Sequence, residues 1–267
     1  MNKDNNNLIC ELPERRSLGS VQDGQARPNG SGSDKPPVIT LDGPSGTGKG
    51  TLCHMLAEHL NWHFLDSGAI YRVLAYAARK RDLDLNDVDN LVALAHRLNL
   101  RFVVGGLVLL DEADISDAIR AERCGQEASQ IATIPDIRAA LLARQRAFSA
   151  LPGLVTDGRD MGTVVFPDAI LKIYVYASAE ERARRRYLQL KDSGNDVRLA
   201  QVVDELAKRD ERDTARTHSP LKPAQDAVQI DTTGLTIVQV FEKVLSLVNR
   251  LDLPGGRGAE PLLPLTY

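Results

Sequence analysis

Cysteine and long apolar segments are both scarce in this chain. The 267 residues include only three cysteines, Cys10, Cys53 and Cys124, which lie far apart and form no CxxC pair. A disulfide framework or a structural zinc site is therefore not expected. The opening residues MNKDNNNLICELPERR contain no apolar run of signal-peptide length, and no uncharged apolar stretch reaches 18 residues. We therefore expect a soluble, cytoplasmic protein.

An excess of charge of one sign is also absent. The net charge is −3, which gives no general attraction to nucleic acid or to an anionic membrane, so neither is an expected partner. Any anion that binds must be met by a local cluster of arginines. Hydrophobic residues make up 43% and charged residues 26%, as in ordinary globular proteins, and the length allows one sizeable α/β core with a small inserted lobe.

Both ends of the chain differ in composition from the middle. Residues 1–35 are rich in Asn, Gly, Ser, Asp and Pro, with hardly any apolar periodicity, and are predicted to be a disordered extension. Residues 252–267 are punctuated by Gly and Pro and are predicted to be a loose tail. The folded domain should therefore span residues 36–251.

Within that domain, strand-like and helix-like segments alternate. The predicted strands are Pro37–Leu41, Trp62–Leu65, Leu154–Thr156, Ile170–Tyr176 and Ala227–Ile230, and helical periodicity covers Thr51–Leu60, Gly68–Arg79 and Ile137–Phe148. Alternation of this kind predicts βαβ units, and hence an α/β fold with a buried parallel sheet flanked by helices.

One stretch breaks the alternation. After a predicted helix at Val88–Leu98, two short β runs at 101–104 and 107–110 are separated by Gly105-Gly106. This pattern predicts a β hairpin in a small lobe set into the parallel scaffold.

The most specific motif is a glycine-rich turn between a predicted strand and a predicted helix. It comprises Gly43, Pro44, Ser45, Gly46, Thr47, Gly48, Lys49, Gly50 and Thr51. Backbone N–H groups of such a turn and the following helix N-terminus converge on phosphate, and the lysine reaches the outer phosphates. Gly50 stands where many phosphate loops have a Mg²⁺-binding hydroxyl, which here comes one residue later, at Thr51. The GKGT form resembles the nucleoside monophosphate kinases more than the regulatory GTPases.

Three further motifs follow this phosphate loop in order. They are LDSGAIYR at 65–72, DGRDMGT at 157–163 and RDERDTAR at 209–216. Together with GPSGTGKGT they resemble the bacterial cytidylate kinases, and the resemblance runs from about Pro36 to about Leu251. It implies a P-loop NTPase-type fold with an acceptor lobe at about 66–145 and a short lid at about 182–198. It also implies a monomeric kinase that uses ATP and Mg²⁺ to phosphorylate CMP and dCMP.

The implied chemistry suits the residues present. The phosphate of a nucleoside monophosphate is already an anion, so no general base is needed, and catalysis consists of positioning plus neutralisation of charge. The resemblance assigns catalytic roles to Lys49, Arg159, Arg185, Arg186 and Arg216. Asp157, at the end of a short apolar strand, would hold Mg²⁺ together with Thr51, through water.

The resemblance also assigns an acceptor site. Its residues are Ser67, Arg72, Arg159 and Arg216 for the phosphate, Ser129, Arg138 and Asp160 for the base, and Arg209 and Asp213 for the ribose. A carboxylate can accept a hydrogen bond from the exocyclic amino group of cytosine, whereas uracil would present a carbonyl to it.

Simpler interpretations exist for these residues. Ser67 could be a helix cap, and Arg72 and Arg138 could be surface side chains. Arg209, Asp213 and Arg216 are spaced i, i+4, i+7 on one helix face, as in an exposed ion-pair stripe.

A second basic cluster contains Arg182, Arg185 and Arg186, which share a helix face by their spacing. Such a run is often only a solvated face. The resemblance places it at the start of the lid, with Arg182 near ATP and with 193–195 (Ser-Gly-Asn) as a flexible tip. Closure of the lid would exclude water, which otherwise competes as the acceptor.

Three other functions remain open from the sequence. A regulatory nucleotide switch would need a guanine-reading Asn-Lys-x-Asp segment, and the chain contains none. A kinase with another acceptor, such as uridylate, adenylate or shikimate, is disfavoured by Asp160 and Arg138 only through the roles that the resemblance implies for them. A scaffold that docks through residues 1–35 would leave the arginines without a purpose.

Overall fold

A computed structural model of the chain describes residues 35–103, 107–192, 194 and 196–251. The strands are β1 Val38–Asp42, β2 His63–Asp66, β3 Leu100–Val103, β4 Leu107–Leu110, β5 Ala113–Asp114, β6 Leu154–Gly158, β7 Leu171–Tyr176 and β8 Val228–Asp231. The helices are α1 Lys49–Leu60, α2 Ser67–Lys80, α3 Val88–Arg97, α4 Glu122–Ile131, α5 Pro135–Arg146, α6 Ala179–Asp192, α7 Leu199–Thr214 and α8 Ile237–Val248.

Five strands form a parallel sheet in the order β2-β6-β1-β7-β8. Every residue of β1 and β6 is buried, which suits their apolar sequences in the middle of a sheet that is covered on both faces. The predicted fold class and all five predicted parallel strands are confirmed. The carboxyl ends of β2, β6 and β1 lie side by side, because Asp66 is in register with Asp157, and Asp42 with Gly158.

The stretch at about 66–145, which was predicted to be an acceptor lobe, forms a helical unit with a small sheet. Strands β3, β4 and β5 pair antiparallel, with Arg101 opposite Leu109, so the predicted hairpin is confirmed. Its Gly105-Gly106 turn lies outside the described residues. Helices α2, α3, α4 and α5 pack around one apolar cluster that includes Ile70, Leu91, Ile131 and Leu141. The short β5 was not predicted.

Helices α6 and α7 form a hairpin beside the phosphate loop. They share their own apolar cluster of Ala183, Leu190, Val202 and Leu206. The predicted lid, about 182–198, covers most of α6 and the connection to α7. Two of the three residues of the proposed tip, 193 and 195, lie outside the described residues.

The predicted terminal extensions cannot be compared with the structure, since residues 1–34 and 252–267 lie outside the part it describes. Within the described ranges, no helix is both long and apolar enough to cross a membrane.

Candidate active site

The phosphate loop leaves β1, the central strand, and ends in the first turn of α1. Gly43 packs so closely on β7 that an added Cβ would lie 1.9 Å from the carbonyl oxygen of Val175. Gly48 caps α1 with φ 86°, a left-handed conformation that other residues adopt at a cost. These two glycines therefore fix the path of the loop at its two ends.

Lys49 points back over the loop. Its Nζ lies 2.7 Å from the carbonyl oxygen of Pro44, and the side chain is buried. Burial and then the nearby guanidinium of Arg159 together lower the pKa of Lys49 to about 7, although Asp157 acts in the opposite direction. A phosphate in the loop would restore the positive charge. Thr51, by contrast, is exposed in the first turn of α1.

Two buried carboxyl groups stand at the strand ends next to the loop. Burial and the negative charge of Asp66 together raise the pKa of Asp157 to about 7, although the positive charge of Lys49 acts in the opposite direction. Its Oδ1 has no hydrogen-bond partner within the described residues. Asp42 accepts hydrogen bonds from the backbone N–H groups of Met161 (2.9 Å) and Gly162 (2.8 Å), and burial raises its pKa to about 6. An unpartnered, buried oxygen beside the phosphate loop fits a hard divalent cation such as Mg²⁺.

Two arginines from different parts of the chain meet at Asp213. Arg159 Nε donates to Asp213 Oδ2 at 2.7 Å, and Arg216 donates to the other oxygen. Burial alone would raise the pKa of Asp213, but Arg159 and Arg216 hold it below its ordinary value. The side chain of Asp213 is 1% exposed, so the alternative of an exposed ion-pair stripe is wrong.

Arg209 joins this cluster without a comparable partner. Burial, and then Arg159, lower its pKa to about 10, and its Nε makes no hydrogen bond within the described ranges. The expectation that Arg216 lies on the same helix is wrong. Helix α7 ends at Thr214, and the chain turns there because the N–H of Leu221 donates back to the carbonyl oxygen of Asp213. Arg216 still meets Asp213 from beyond the helix end.

Ser67 and Arg72 lie at the start of α2. The cap of this helix is Asp66, whose Oδ1 accepts from the N–H of Ala69 at 3.0 Å, so Ser67 is not the cap. Asp66 Oδ2 also accepts from Arg72, which is therefore paired rather than freely solvated. Ser67 is buried next to Gly158, where an added Cβ would lie 2.6 Å from its Oγ.

A buried ion pair joins α5 to the segment that follows β6. Arg138 on α5 donates to Asp160, which follows β6, and to the carbonyl oxygen of Ala132 at 3.2 Å. Its guanidinium also lies over the ring of Tyr71, 5.7 Å from the centroid. With a side-chain exposure of 10%, Arg138 is not a surface arginine. Ser129 on α4 is buried, and its hydroxyl finds no partner in the described part of the chain.

Of the four arginines of α6, the three assigned to the predicted lid contact different neighbours. Arg182 Nη1 lies 3.2 Å from the carbonyl oxygen of Ser45 and pairs with Asp210 at 2.6 Å. Arg185 donates to Thr232 and to backbone oxygens of the phosphate loop and of the loop before α8. Arg186 instead reaches Glu122 of the acceptor lobe. The run is therefore not merely a solvated face.

The carboxylates that hold these arginines were not predicted from the sequence. Asp66 holds Arg72, Asp210 holds Arg182 and Glu122 holds Arg186. Asp66 and Asp210 lie inside motifs that were singled out, so their position was a usable signal. Glu122 lies in no motif, and only the tertiary structure shows its contact.

The whole arrangement defines a class of protein. A phosphate loop follows the central strand of a parallel sheet, an inserted helical lobe presents buried arginines near it, and a helical hairpin packs on its outer side. This is a P-loop kinase of the nucleoside monophosphate kinase class.

Comparison with known proteins narrows the class to a family. The family model described as cytidylate kinase matches residues 39–250. A cytidylate kinase of Stutzerimonas stutzeri (strain A1501) is 56% identical over 224 residues, which cover 82% of this chain and 98% of the relative. That of Azotobacter vinelandii (strain DJ / ATCC BAA-1303) is 54% identical over 228 residues, or 84% of this chain and 100% of the relative. The chain belongs to the cytidylate kinase family.

Similarity to solved structures is weaker. A shikimate kinase from Acinetobacter baumannii is 20% identical, with a TM-score of 0.38, over 81% of this chain and 96% of the other.

Proposed function

We propose that the protein transfers the γ-phosphoryl group of ATP to CMP and dCMP, giving ADP with CDP or dCDP. Family membership supports ATP as the donor and a cytidine monophosphate as the acceptor. The observation that carries the choice of base is the buried pair of Asp160 and Arg138. Asp160 would accept from the exocyclic amino group of cytosine, Arg138 would donate to the ring acceptors, and Ser129 offers a further hydroxyl.

The donor phosphates would lie in the loop formed by residues 43–51. Its backbone N–H groups and Lys49 would meet the β- and γ-phosphates, while Arg182 and Arg185 support the loop from behind. Thr51 and Asp157 would hold Mg²⁺ through water, and the bound ion would neutralise negative charge on the transferred group. Asp157 suits this role because it is buried, adjacent to Lys49 and has an unpartnered oxygen.

The acceptor phosphate would be held by arginines and one hydroxyl. Arg72 and Ser67 approach from α2, Arg159 from the end of β6, and Arg216 from beyond α7. Asp213 keeps Arg159 and Arg216 together and, with Arg209, would also meet the ribose hydroxyls. An oxygen of the acceptor phosphate then attacks the γ-phosphorus without a general base, and the arginines offset the shared charge.

The domain limits and assembly remain proposals. We propose a catalytic domain at 36–251, with an acceptor lobe at about 66–145 and a lid at about 182–198, acting as a monomer. The product class would place the enzyme in pyrimidine nucleotide salvage and biosynthesis.

One coupled assay tests the proposal. Formation of ADP would be followed with Mg²⁺ and with CMP, dCMP, UMP, AMP or no acceptor. We expect CMP and dCMP to give the highest kcat/KM and chelation of Mg²⁺ to abolish turnover. Preference for another acceptor would refute the assigned base site, and ATP hydrolysis that is independent of every acceptor would favour a nucleotide switch.

A further inference from the structure

The donor side and the acceptor lobe are joined by a polar bridge between three helices. Arg186 of α6 donates to Glu122, the first residue of α4, at 2.5 Å. Glu122 also accepts from Gln126 at 3.0 Å, and Gln126 accepts in turn from Arg212 of α7. One arginine from each helix of the α6–α7 hairpin is thus bound to α4.

The bridge lies beside the phosphate loop. A small cavity is lined by Glu122, Gln126 and Arg186, together with Ser45 of the loop and Arg209 of the cluster around Asp213. Burial alone would raise the pKa of Glu122, but the hydrogen bond and the positive charge of Arg186 hold it below its ordinary value. The positive charge of Arg209 lowers it as well. The carboxylate is therefore charged and stands between two arginines at the junction of the donor and acceptor sites.

Arg186 has hydrogen-bond partners of a different kind from those of Arg182 and Arg185 on the same helix. Arg182 and Arg185 donate to backbone oxygens of the phosphate loop, so their positions depend on the parallel scaffold. The hydrogen bonds of the Arg186 guanidinium go to side chains, to Gln189 on its own helix and to Glu122 on the acceptor lobe. Its position therefore depends on where the acceptor lobe stands.

We propose that Glu122 is a positioning residue for phosphoryl transfer, which fixes the guanidinium of Arg186 next to the phosphate loop when the acceptor lobe is docked. The proposal rests on the CMP kinase function proposed above. A long arginine side chain loses much rotamer freedom when it is fixed, and Glu122 supplies that ordering before the transition state forms. The bridge thereby makes the position of Arg186 during phosphoryl transfer depend on the lobe that would bind the acceptor.

A bridge that only adds stability would behave differently. The side chains of Arg186 and Glu122 are 25% and 34% exposed, and partly exposed pairs contribute about 0–1 kcal/mol to folding. A merely structural pair would alter the unfolding temperature slightly and leave kcat unchanged. A positioning pair would lower kcat and leave the KM values nearly as they are.

The test compares Glu122→Ala, Glu122→Gln, Arg186→Ala and the double variant Glu122→Ala/Arg186→Ala with the wild-type chain. Glu205→Gln is the matched control, because Glu205 lines the same cavity but bonds to Gln201 instead. We expect kcat to fall roughly 10-fold or more in Glu122→Ala, with KM for ATP and for CMP within about 2-fold of wild type. Glu122→Gln keeps an acceptor oxygen and should recover most of the loss, while Glu205→Gln should match wild type.

The double variant decides whether the two residues act together. If Glu122 acts through Arg186, the double variant should be no slower than Arg186→Ala alone. A normal kcat in Glu122→Ala, or losses that multiply in the double variant, would overturn the inference. The wild-type assay separates the two proposals, because failure of wild type to phosphorylate CMP refutes the function, whereas an active wild type with an unaffected Glu122→Ala refutes only the role of Glu122. Thermal unfolding of each variant shows whether a loss arises from misfolding.

Discussion

Asp160 and Arg138 form an ion pair in which both side chains are buried, with exposures of 4% and 10%. Truncating either one would leave its partner buried with an uncompensated charge, which costs about 3–5 kcal/mol in comparable pairs. An informative substitution therefore keeps the volume and the acceptor oxygen of the carboxylate while it changes the hydrogen-bonding character.

Asp160→Asn meets this requirement. Its amide can donate to a uracil carbonyl, which a carboxylate cannot do, and it accepts less strongly from the amino group of cytosine. We expect KM for CMP to rise about 10-fold or more, the preference for CMP over UMP to shrink, and KM for ATP to stay within about 2-fold. Steady-state kinetics with both acceptors measures this, with Asp136→Asn, in the exposed first turn of α5, as the control. A raised KM for ATP with unchanged KM for CMP would place Asp160 in the donor half.

Asp42 should make the stability of the ligand-free protein depend on pH. Burial raises its pKa from 3.8 to about 6, so between these values the folded state binds more protons than the unfolded state. The stabilisation is complete below the lower value and is lost as pH rises through about 6, a change of about 3 kcal/mol for this group. Urea unfolding between about pH 4 and 6 should show a shallower decline in Asp42→Asn than in wild type. Parallel curves would contradict the shift.

At this scale the motifs singled out candidate residues of the site but did not predict which side chains pair with one another. Asp160 and Arg138 were both assigned to the base, yet nothing in their 22-residue separation showed that they touch each other. The same holds for Asp213, which was expected at the ribose, because nothing in the sequence showed that it binds Arg159 and Arg216. Side-chain pairing depends on the packing of distant elements, which neither periodicity nor spacing encodes.

Helix α6 is the element that secures the outer side of the phosphate loop. Arg185 lies at its centre and donates to Thr47 O (3.5 Å), to Thr232 Oγ1 (3.0 Å) and O (2.5 Å), and to Leu235 O (3.2 Å). These bonds tie the loop to the segment between β8 and α8. An arginine that ties the phosphate loop to a neighbouring segment should affect stability and donor binding together.

Arg185→Ala should therefore lower the free energy of unfolding by about 1–3 kcal/mol, because carbonyl oxygens lose a charged donor. KM for ATP should rise several-fold, while KM for CMP should change little. Arg184→Ala is the matched control on the same helix, since Arg184 is 59% exposed and pairs with Glu181 near the surface. Denaturant titration and initial rates measure the two effects, and equal behaviour of the two variants would refute the role of Arg185.

The helices and strands themselves were predictable where apolar periodicity was strong. Strands β1, β2, β6, β7 and β8 and helices α1, α2, α3 and α5 lie within two residues of their predicted limits. The two-residue β5 was missed because so short a strand has no period, and the end of α7 was misplaced because charged residues continue past Thr214. Tertiary hydrogen bonds, rather than local propensity, decide such boundaries.

In the whole molecule, every residue assigned to the site lies between positions 43 and 216. The relative from Stutzerimonas stutzeri is matched over 98% of its length by 82% of this chain. A shortened chain of residues 35–251 should therefore keep kcat for CMP within about 2-fold of the full chain, with an unfolding temperature within a few degrees. Side-by-side kinetics and thermal unfolding of both forms check this. A large loss of activity in a well-folded short form would show that a terminal segment takes part in catalysis.

The apolar cluster of Ala183, Leu190, Val202 and Leu206 belongs to the α6–α7 hairpin alone. The internal rigidity of the hairpin therefore comes from its own apolar contacts and not from the main core. Substitutions that loosen Leu190 or Leu206 should weaken the hairpin itself without changing any residue assigned to the nucleotides.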